Sequence, residues 1–245
     1  MKKLNLLIWI SILFLSCSNP EVPEASLSVE AYIYEAQPIN HIKLSLVKPI
    51  NETERQPVSD AEVFIQWNNK YYQLKEIIDE PGTFYSDNIN LQIIENNTYT
   101  LIVRYHDEEY LAETIVPSIP KQLEANKDTI DLSNNNDLIT ITWQNSDSTW
   151  YLGVIAPEEG SSTEFPFNNF FSLPTKESSI KIETEDVNNT GSQHFVLYGI
   201  TEDYAKLYRI SSSSIGATNV GNLSNGFGIF AAFSSDTLTF VAKSP

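Results

Sequence analysis

Apolar residues fall on every second position in segment after segment of this chain. Leu27, Val29, Ala31 and Ile33 form one such set, and Ile42, Leu44 and Leu46 a second. Ala61, Val63, Ile65 and Trp67 form a third, and Tyr99, Leu101, Val103 and Tyr105 a fourth. Successive side chains of a strand point to opposite faces, so a period of two buries one face and wets the other. Turn signals separate the sets: Pro49 to Pro57, Asn68-Asn69, Pro81-Gly82 and Glu95-Asn96-Asn97. Strands in succession at this spacing, with no helix between them, predict antiparallel sheets stacked as a sandwich. A chain of 245 residues, 41% hydrophobic and 11% aromatic, has room for one large or two small domains of this kind.

Pro117 and Pro120, followed by the polar run KQLEANKD, mark a boundary. The expectation is therefore two β-sandwich domains, 27–120 and 121–245. In the second, Leu138 to Trp143 and Trp150 to Ile155 read as strands around a turn from Asn145 to Ser148, with SSIKIE and QHFVLYGI supplying later strands. One short helix is predicted near 201–210. Thr201 is its candidate N-cap, Glu202 and Asp203 open it, Lys206 and Arg209 close it, and Tyr204, Leu207 and Tyr208 share a stripe.

Two sandwich types are suggested by local pattern. The stretch from PVSDAEVFIQW through EPGTFYSDNINL to NNTYTLIVRY resembles transthyretin-like and carboxypeptidase-regulatory-like sandwiches. In that pattern Ala61 and Val63 point inward, Gly82 permits the turn into Phe84, and Tyr99 and Leu101 share a face. Trp143 at the end of one strand and Tyr151 in the next resemble the B and C strands of a fibronectin type III sandwich.

The first residues read as an address. Lys2 and Lys3 precede an apolar stretch from Leu4 to Leu15, the pattern of a secretory signal. It is shorter than the roughly 20 apolar residues of a membrane-spanning helix. Phe14-Leu15-Ser16-Cys17 resembles a bacterial lipobox, with Cys17 the site of lipid attachment and residues 1–17 a signal peptide. Cys17 is the only cysteine, so no intramolecular disulfide can form. Residues 18–26, SNPEVPEAS, suit a flexible tether. The expected location is the outer membrane, lipid-anchored, with the body periplasmic or surface-exposed.

Composition narrows the partners. The 15 Lys and Arg stand against 32 Asp and Glu, a formal charge of −17, which repels phosphate backbones. No nucleic-acid partner is expected. His41, His106 and His194 share no metal-ligand spacing, and neither HExxH nor CxxC occurs, so no metal or cofactor is expected. A serine nucleophile elbow, G-x-S-x-G, is also missing. Paired carboxylates can run glycoside hydrolysis, but Asp107-Glu108-Glu109 and Glu158-Glu159 sit in predicted turns, as solvated charges do. The chain is read as a non-enzyme.

Three features remain as contact candidates. Phe165, Phe167, Phe170 and Phe171 lie in a Pro- and Asn-rich segment, where they either plug a gap between the domains or form a docking patch. Aromatic sugar platforms built from Trp67, Tyr71 and Tyr72 are the other option. Near the C-terminus, Asn222, Asn225, Gly226, Phe227, Gly228 and Phe230 form the pattern Asn-x-x-Asn-Gly-Phe-Gly-x-Phe. Gly228 would let a neighbouring backbone approach closely, and Asn225-Gly226 suits a tight turn. The motif either locks the last strand against the helix or lines a ligand site.

That motif, with the lipobox, the sandwich pattern and the Tyr204 to Arg209 helix in the same order, resembles the Bacteroidota outer-membrane lipoprotein family known as domain of unknown function 4249. The resemblance implies an accessory lipoprotein, a binding or assembly partner of a TonB-dependent β-barrel receptor in nutrient uptake. An adhesin-like or structural envelope sandwich is the alternative, with a glycan-binding or hydrolytic protein behind it. Mass spectrometry of the native protein is expected to find residues 1–16 removed and Cys17 diacylglycerol-modified. A free thiol or an uncut leader would refute the address.

Overall fold

The alternating segments are strands, and the computed structural model describes residues 26–40, 42–47, 56–146, 149–157, 172–211 and 221–244. In chain order these form β1 (Leu27–Tyr34), β2 (Ile42–Leu46), β3 (Gln56–Pro57), β4 (Glu62–Trp67), β5 (Lys70–Gln73), β6 (Lys75–Glu76), β7 (Thr83–Tyr85), β8 (Thr98–Tyr105) and β9 (Glu108–Ile115). Then come β10 (Lys121–Ala125), β11 (Thr129–Asp131), β12 (Leu138–Gln144), β13 (Trp150–Pro157), β14 (Ser179–Glu183) and β15 (Gly191–Ile200). Helix α1 (Glu202–Ser211) and the long strand β16 (Phe227–Lys243) close the order.

One large sheet, in the order β13-β15-β16-β1-β2-β7-β6, carries the architecture, with β3 beside β2 and β11 beside β16. A four-stranded sheet, β5-β4-β8-β9, and a three-stranded sheet, β10-β12-β14, complete the fold. The four-stranded sheet packs on the large sheet through Val63, Ile65, Tyr99 and Leu101, which meet Leu27, Val29, Ala31 and Ile33. The three-stranded sheet does so through Ile139, Ile141 and Ile182, which meet Tyr151, Phe195 and Phe240. The expected all-β sandwich forms, with one α-helix among the described residues.

Strand β16 explains how two sandwiches share a sheet. Its even positions Phe230 and Ala232 enter the first core, and its even positions Phe240 and Ala242 enter the second. Its odd positions Ile229, Ala231 and Phe233 face the opposite side, where α1 covers them with Tyr204 and Ala205. At about 3.3 Å per residue, 17 residues span about 56 Å, enough to cross both cores. The run GIFAAF is apolar on both faces because both faces are covered there. Residues 27–120 therefore do not complete the first core alone; Phe230 and Ala232 belong to it too.

A purely antiparallel arrangement does not form. β16 runs parallel to β1, from Ser28 opposite Phe227 to Tyr34 opposite Phe233, and parallel to β11. Parallel neighbours need a long crossover, and between β1 and β16 that crossover contains most of the chain. On its other edge β16 pairs antiparallel with β15, from Ile200 opposite Phe233 to Gly191 opposite Ala242.

Local expectations hold in detail. Gly82 sits at φ +75 and leads into buried Phe84, and an added Cβ would crowd the Leu44 carbonyl at 2.6 Å. Trp143 and Tyr151 pack with ring centroids 5.3 Å apart. Thr201 caps α1, its Oγ1 accepting from the Tyr204 N–H at 3.4 Å.

Under α1 lies an aromatic layer that the period-two reading does not mark. Phe233 stacks on Tyr34 at 5.0 Å and meets Tyr204 edge-on at 4.9 Å, while Tyr32 meets Tyr204 at 6.0 Å. Burial raises the Tyr198 hydroxyl to about 12 and pushes Tyr34 and Tyr204 further up. In the unfolded chain these phenols ionise near pH 10, so the unfolded state holds fewer protons above that pH and is favoured. Thermal stability is expected to lose nothing from these groups below pH 10 and to fall between pH 10 and 12. Tyr204→Phe should flatten that fall in melting curves; an unchanged slope would refute the assignment.

Candidate functional site

Asn222 is the hinge of the C-terminal motif. Its carboxamide Oδ1 accepts the Phe230 N–H at 2.9 Å, while its Nδ2 donates to the Phe230 carbonyl and to the Glu113 carbonyl, each at 2.9 Å. An amide side chain offers donors and acceptors in the same geometry as a peptide group. Strand β15 ends at Ile200, opposite Phe233, so it does not reach Phe230 on β16. Asn222 takes that place on the edge of β16 and ties it to the edge of β9. Ser224 extends the tie: its N–H donates to the Leu111 carbonyl at 2.7 Å and its Oγ accepts the Leu111 N–H at 2.8 Å.

The rest of the motif shapes this clasp. Asn225 lies at φ +60, the left-handed conformation that asparagine tolerates. Gly228 lies at φ +111, and an added Cβ would overlap the Val29 carbonyl of β1. Phe230 is fully buried, whereas Phe227 is 38% exposed. The motif thus fastens β16 to β1 and β9. Helix α1 packs on the opposite face of the same stretch, over Ile229, Ala231 and Phe233.

Beside the clasp, where the two sandwiches meet, lies a cavity of about 330 Å³. Residues 113–118 at the end of β9 form one wall, and Thr149 with residues 200–203 at the start of α1 the other. The seam below is polar: Ser234, 2% exposed, donates its hydroxyl to the Ser118 carbonyl at 2.9 Å. Thr114 is 5% exposed and its Oγ1 has no hydrogen-bond partner. Lys206 holds the Glu202 carboxylate below the usual range through a 3.0 Å ion pair. A sequence signal for this site exists in retrospect. Tyr110, Ala112 and Thr114 share the inward face of β9, with Val116 just beyond it, and the hydroxyl breaks an apolar row.

A second cavity, about 440 Å³, opens between the loops 35–39 and 86–94, where Ile89 is almost wholly exposed. The sugar platform of Trp67, Tyr71 and Tyr72 is not assembled. Trp67 stacks on Tyr99 at 5.9 Å and donates Nε1 to Asn97, Tyr72 is buried, and Tyr71 alone of the three is strongly exposed. Cys17, Phe165, Phe167, Phe170 and Phe171 lie outside the described residues.

Glu158 and Glu159 lie outside the described residues, and the described carboxylates are engaged locally. Glu109 accepts from Arg104 at 3.0 Å, Glu108 from the Tyr110 hydroxyl at 2.9 Å, and Asp186 from the Glu183 N–H at 2.7 Å. Among the described residues no group of three or more His, Cys, Asp or Glu side chains is placed to hold a metal ion. No described helix is long and apolar enough to cross a membrane.

Residues 18–239 match the family described as Domain of unknown function (DUF4249). The chain belongs to that family. The DUF4249 match runs through both sandwiches, the clasp and the junction cavity, so these are parts of one unit of descent. No curated protein matches the chain. Among solved structures, a cytokine receptor complex aligns at 7% identity and a TM-score of 0.30, over 86% of this chain and 94% of that one. The FN1–FN3 domains of chicken CNTN1 align at 10% identity and 0.26, over 89% and 65%. The BSP domain of a biofilm associated protein aligns at 11% identity and 0.25, over 88% and 30%.

Asn222→Ala removes three hydrogen bonds at the clasp and is expected to cost about 1–3 kcal/mol in urea unfolding. Gly228→Ala should cost about 3 kcal/mol or more, since it meets both a disfavoured φ and the Val29 carbonyl. A clasp that served only as surface decoration would leave both variants within about 0.5 kcal/mol of the parent.

Proposed function

We propose that this DUF4249 chain is a non-catalytic accessory lipoprotein, held at the outer membrane by acylated Cys17 and serving as a binding or assembly partner of a TonB-dependent β-barrel receptor. The observation that carries the reading is the single cysteine closing the Leu4 to Leu15 apolar run, where a thioether-linked lipid is the use an exported chain has for it. Two acyl chains bind a bilayer stably, since each buried CH₂ adds about 0.8 kcal/mol. The body that follows is suited to presenting surface rather than to turnover. Its described acidic clusters serve turns, caps and ion pairs, and its two sandwiches share one uninterrupted strand.

The shared strand also favours a second reading, an envelope-spacing or adhesin-like rod with no small-molecule ligand. A tagged full-length protein extracted in mild detergent distinguishes them. Co-purification of a large β-barrel in stoichiometric amount is expected, and it should vanish with Cys17→Ala, which leaves the body unanchored. Recovery of the lipoprotein alone, with adhesion of intact cells to polymer surfaces lost on its deletion, would favour the rod and remove the receptor from the account.

A further inference from the structure

The four-stranded sheet spends one face on the first core and leaves the other outward. Val63, Ile65, Tyr99 and Leu101 point inward, so alternation turns Phe64, Gln66, Thr100 and Ile102 outward. The register sets the outward residues in rows across the strands. One row is Gln73, Phe64, Ile102 and Leu111, and the next is Tyr71, Gln66, Thr100 and Glu113. The first is an apolar floor, in which Ile102 is 6% exposed although it points outward. The second places a phenol ring on β5, a carboxamide and a hydroxyl in the middle, and a carboxylate on β9. Leu111 and Ile115 flank that carboxylate and, like Tyr71, are exposed. Tyr71 is the one member of the expected aromatic platform that this face retains.

On a chain of formal charge −17, these two rows carry one ionic group, Glu113. Arg104 bounds the floor, with its guanidinium 5.4 Å from the Phe64 ring centroid and its Nε donating to Glu109. Size and chemistry then select the occupant. Four strands about 4.8 Å apart make the face about 14 Å wide, and Leu111 to Ile115 covers about 13 Å along the strand. The product, about 200 Å², is a quarter of the roughly 800 Å² per partner in a stable protein interface. A globular partner or a second copy needs more. An added strand is not served either, because peptide groups of inner strands are spent in the ladder and lie in the plane of the sheet. Acidic polymers meet Glu113, Glu109 and Glu62. What the rows do offer is a ring to stack on, an apolar floor, and neutral hydrogen-bonding groups on successive strands.

We infer that the outer face of this sheet binds a neutral glycan chain laid across the strands from Tyr71 to Glu113. A sugar ring carries C–H groups on its faces and hydroxyls around its rim, so it needs apolar surface and hydrogen-bonding groups side by side. Tyr71 stacks on one ring, Gln66 and Thr100 exchange hydrogen bonds with the hydroxyls that follow, and Glu113 accepts from the last. The inference goes beyond the outer-membrane reading and does not depend on it, since the site lies wholly on the described body of the first sandwich.

An array of neutral and acidic oligosaccharides tests it on the full mature chain, held in a detergent without a sugar headgroup. Binding to neutral glycans is expected, with equal strength at low and high salt. Amide chemical shifts should move at Gln66, Tyr71 and Thr100 when the bound glycan is titrated. Tyr71→Ala, an exposed change, should leave the melting temperature where it was and weaken the glycan about tenfold or more. Ile89→Ala, in the separate cavity between loops 35–39 and 86–94, should leave binding intact. Binding of no neutral glycan would overturn the inference, as would a preference for acidic ones. Equal losses in Tyr71→Ala and Ile89→Ala, or shifts confined to either cavity, would place binding elsewhere and overturn it too.

Discussion

The structure depends on one strand having hydrogen-bonded neighbours on both edges that come from opposite ends of the chain. β16 meets β1 on one side and β15 on the other, and Phe233 stands opposite Tyr34 and Ile200 at the place where the two pairings overlap. Its side chains serve three clusters, with Phe230 in the first core, Phe240 in the second and Phe233 under α1. Each large aromatic or aliphatic group buried there contributes about 1.5–3 kcal/mol, but the placement matters more than the sum. A two-sandwich chain joined only by a linker could bend at it. Here a bend would break a continuous ladder from Phe227 to Lys243.

The same arrangement leaves strand edges that must be managed. Where β15 stops, β16 would expose peptide groups, and where β9 stops pairing, its outer edge would do so too. Asn222 satisfies both with one side chain, and Ser224 extends the cover along β9. Unpaired edges invite association with other chains, so a carboxamide that imitates a passing strand closes the fold without the length of a real one.

Much of this was legible in the residues, and the limits are physical. Alternation in LSVEAYIY and TYTLIVRY specifies strands and their inward faces because burial on one side of a pleat leaves that imprint. It says nothing about which strand lies alongside. The parallel pairing of β1 with β16 joins residues about two hundred positions apart, and no period in either segment encodes the other. Gly228 announced a close approach but not that Val29 would make it. Asn222 belonged to a recognisable pattern, yet its role depends on two backbone edges brought together by the fold. Thr114 did leave a local trace, a hydroxyl that interrupts an apolar row where the strand lines the junction cavity. The aromatic layer under α1 hid because Tyr32 and Tyr34 occupy the face of β1 that alternation assigns to water.

The direction of β1 decides how the body would carry load. The chain enters β1 at Leu27 directly from residues 18–26, and β1 runs parallel to β16 toward the second sandwich. A pull on the N-terminus, resisted by anything held at the second sandwich, is therefore directed along the strands. It loads the pairs from Ser28–Phe227 to Tyr34–Phe233 together, in shear, instead of opening them one after another. A hairpin pulled at its open end yields one rung at a time; a ladder sheared along its length yields only when many bonds give at once. Gly228 sits within this ladder, and the close backbone contact it allows with Val29 keeps β1 and β16 in register. The clasp at Asn222 fixes the same stretch of β16 from its other edge. The pairs that a pull at Leu27 would load together are thus those held from both edges of β16.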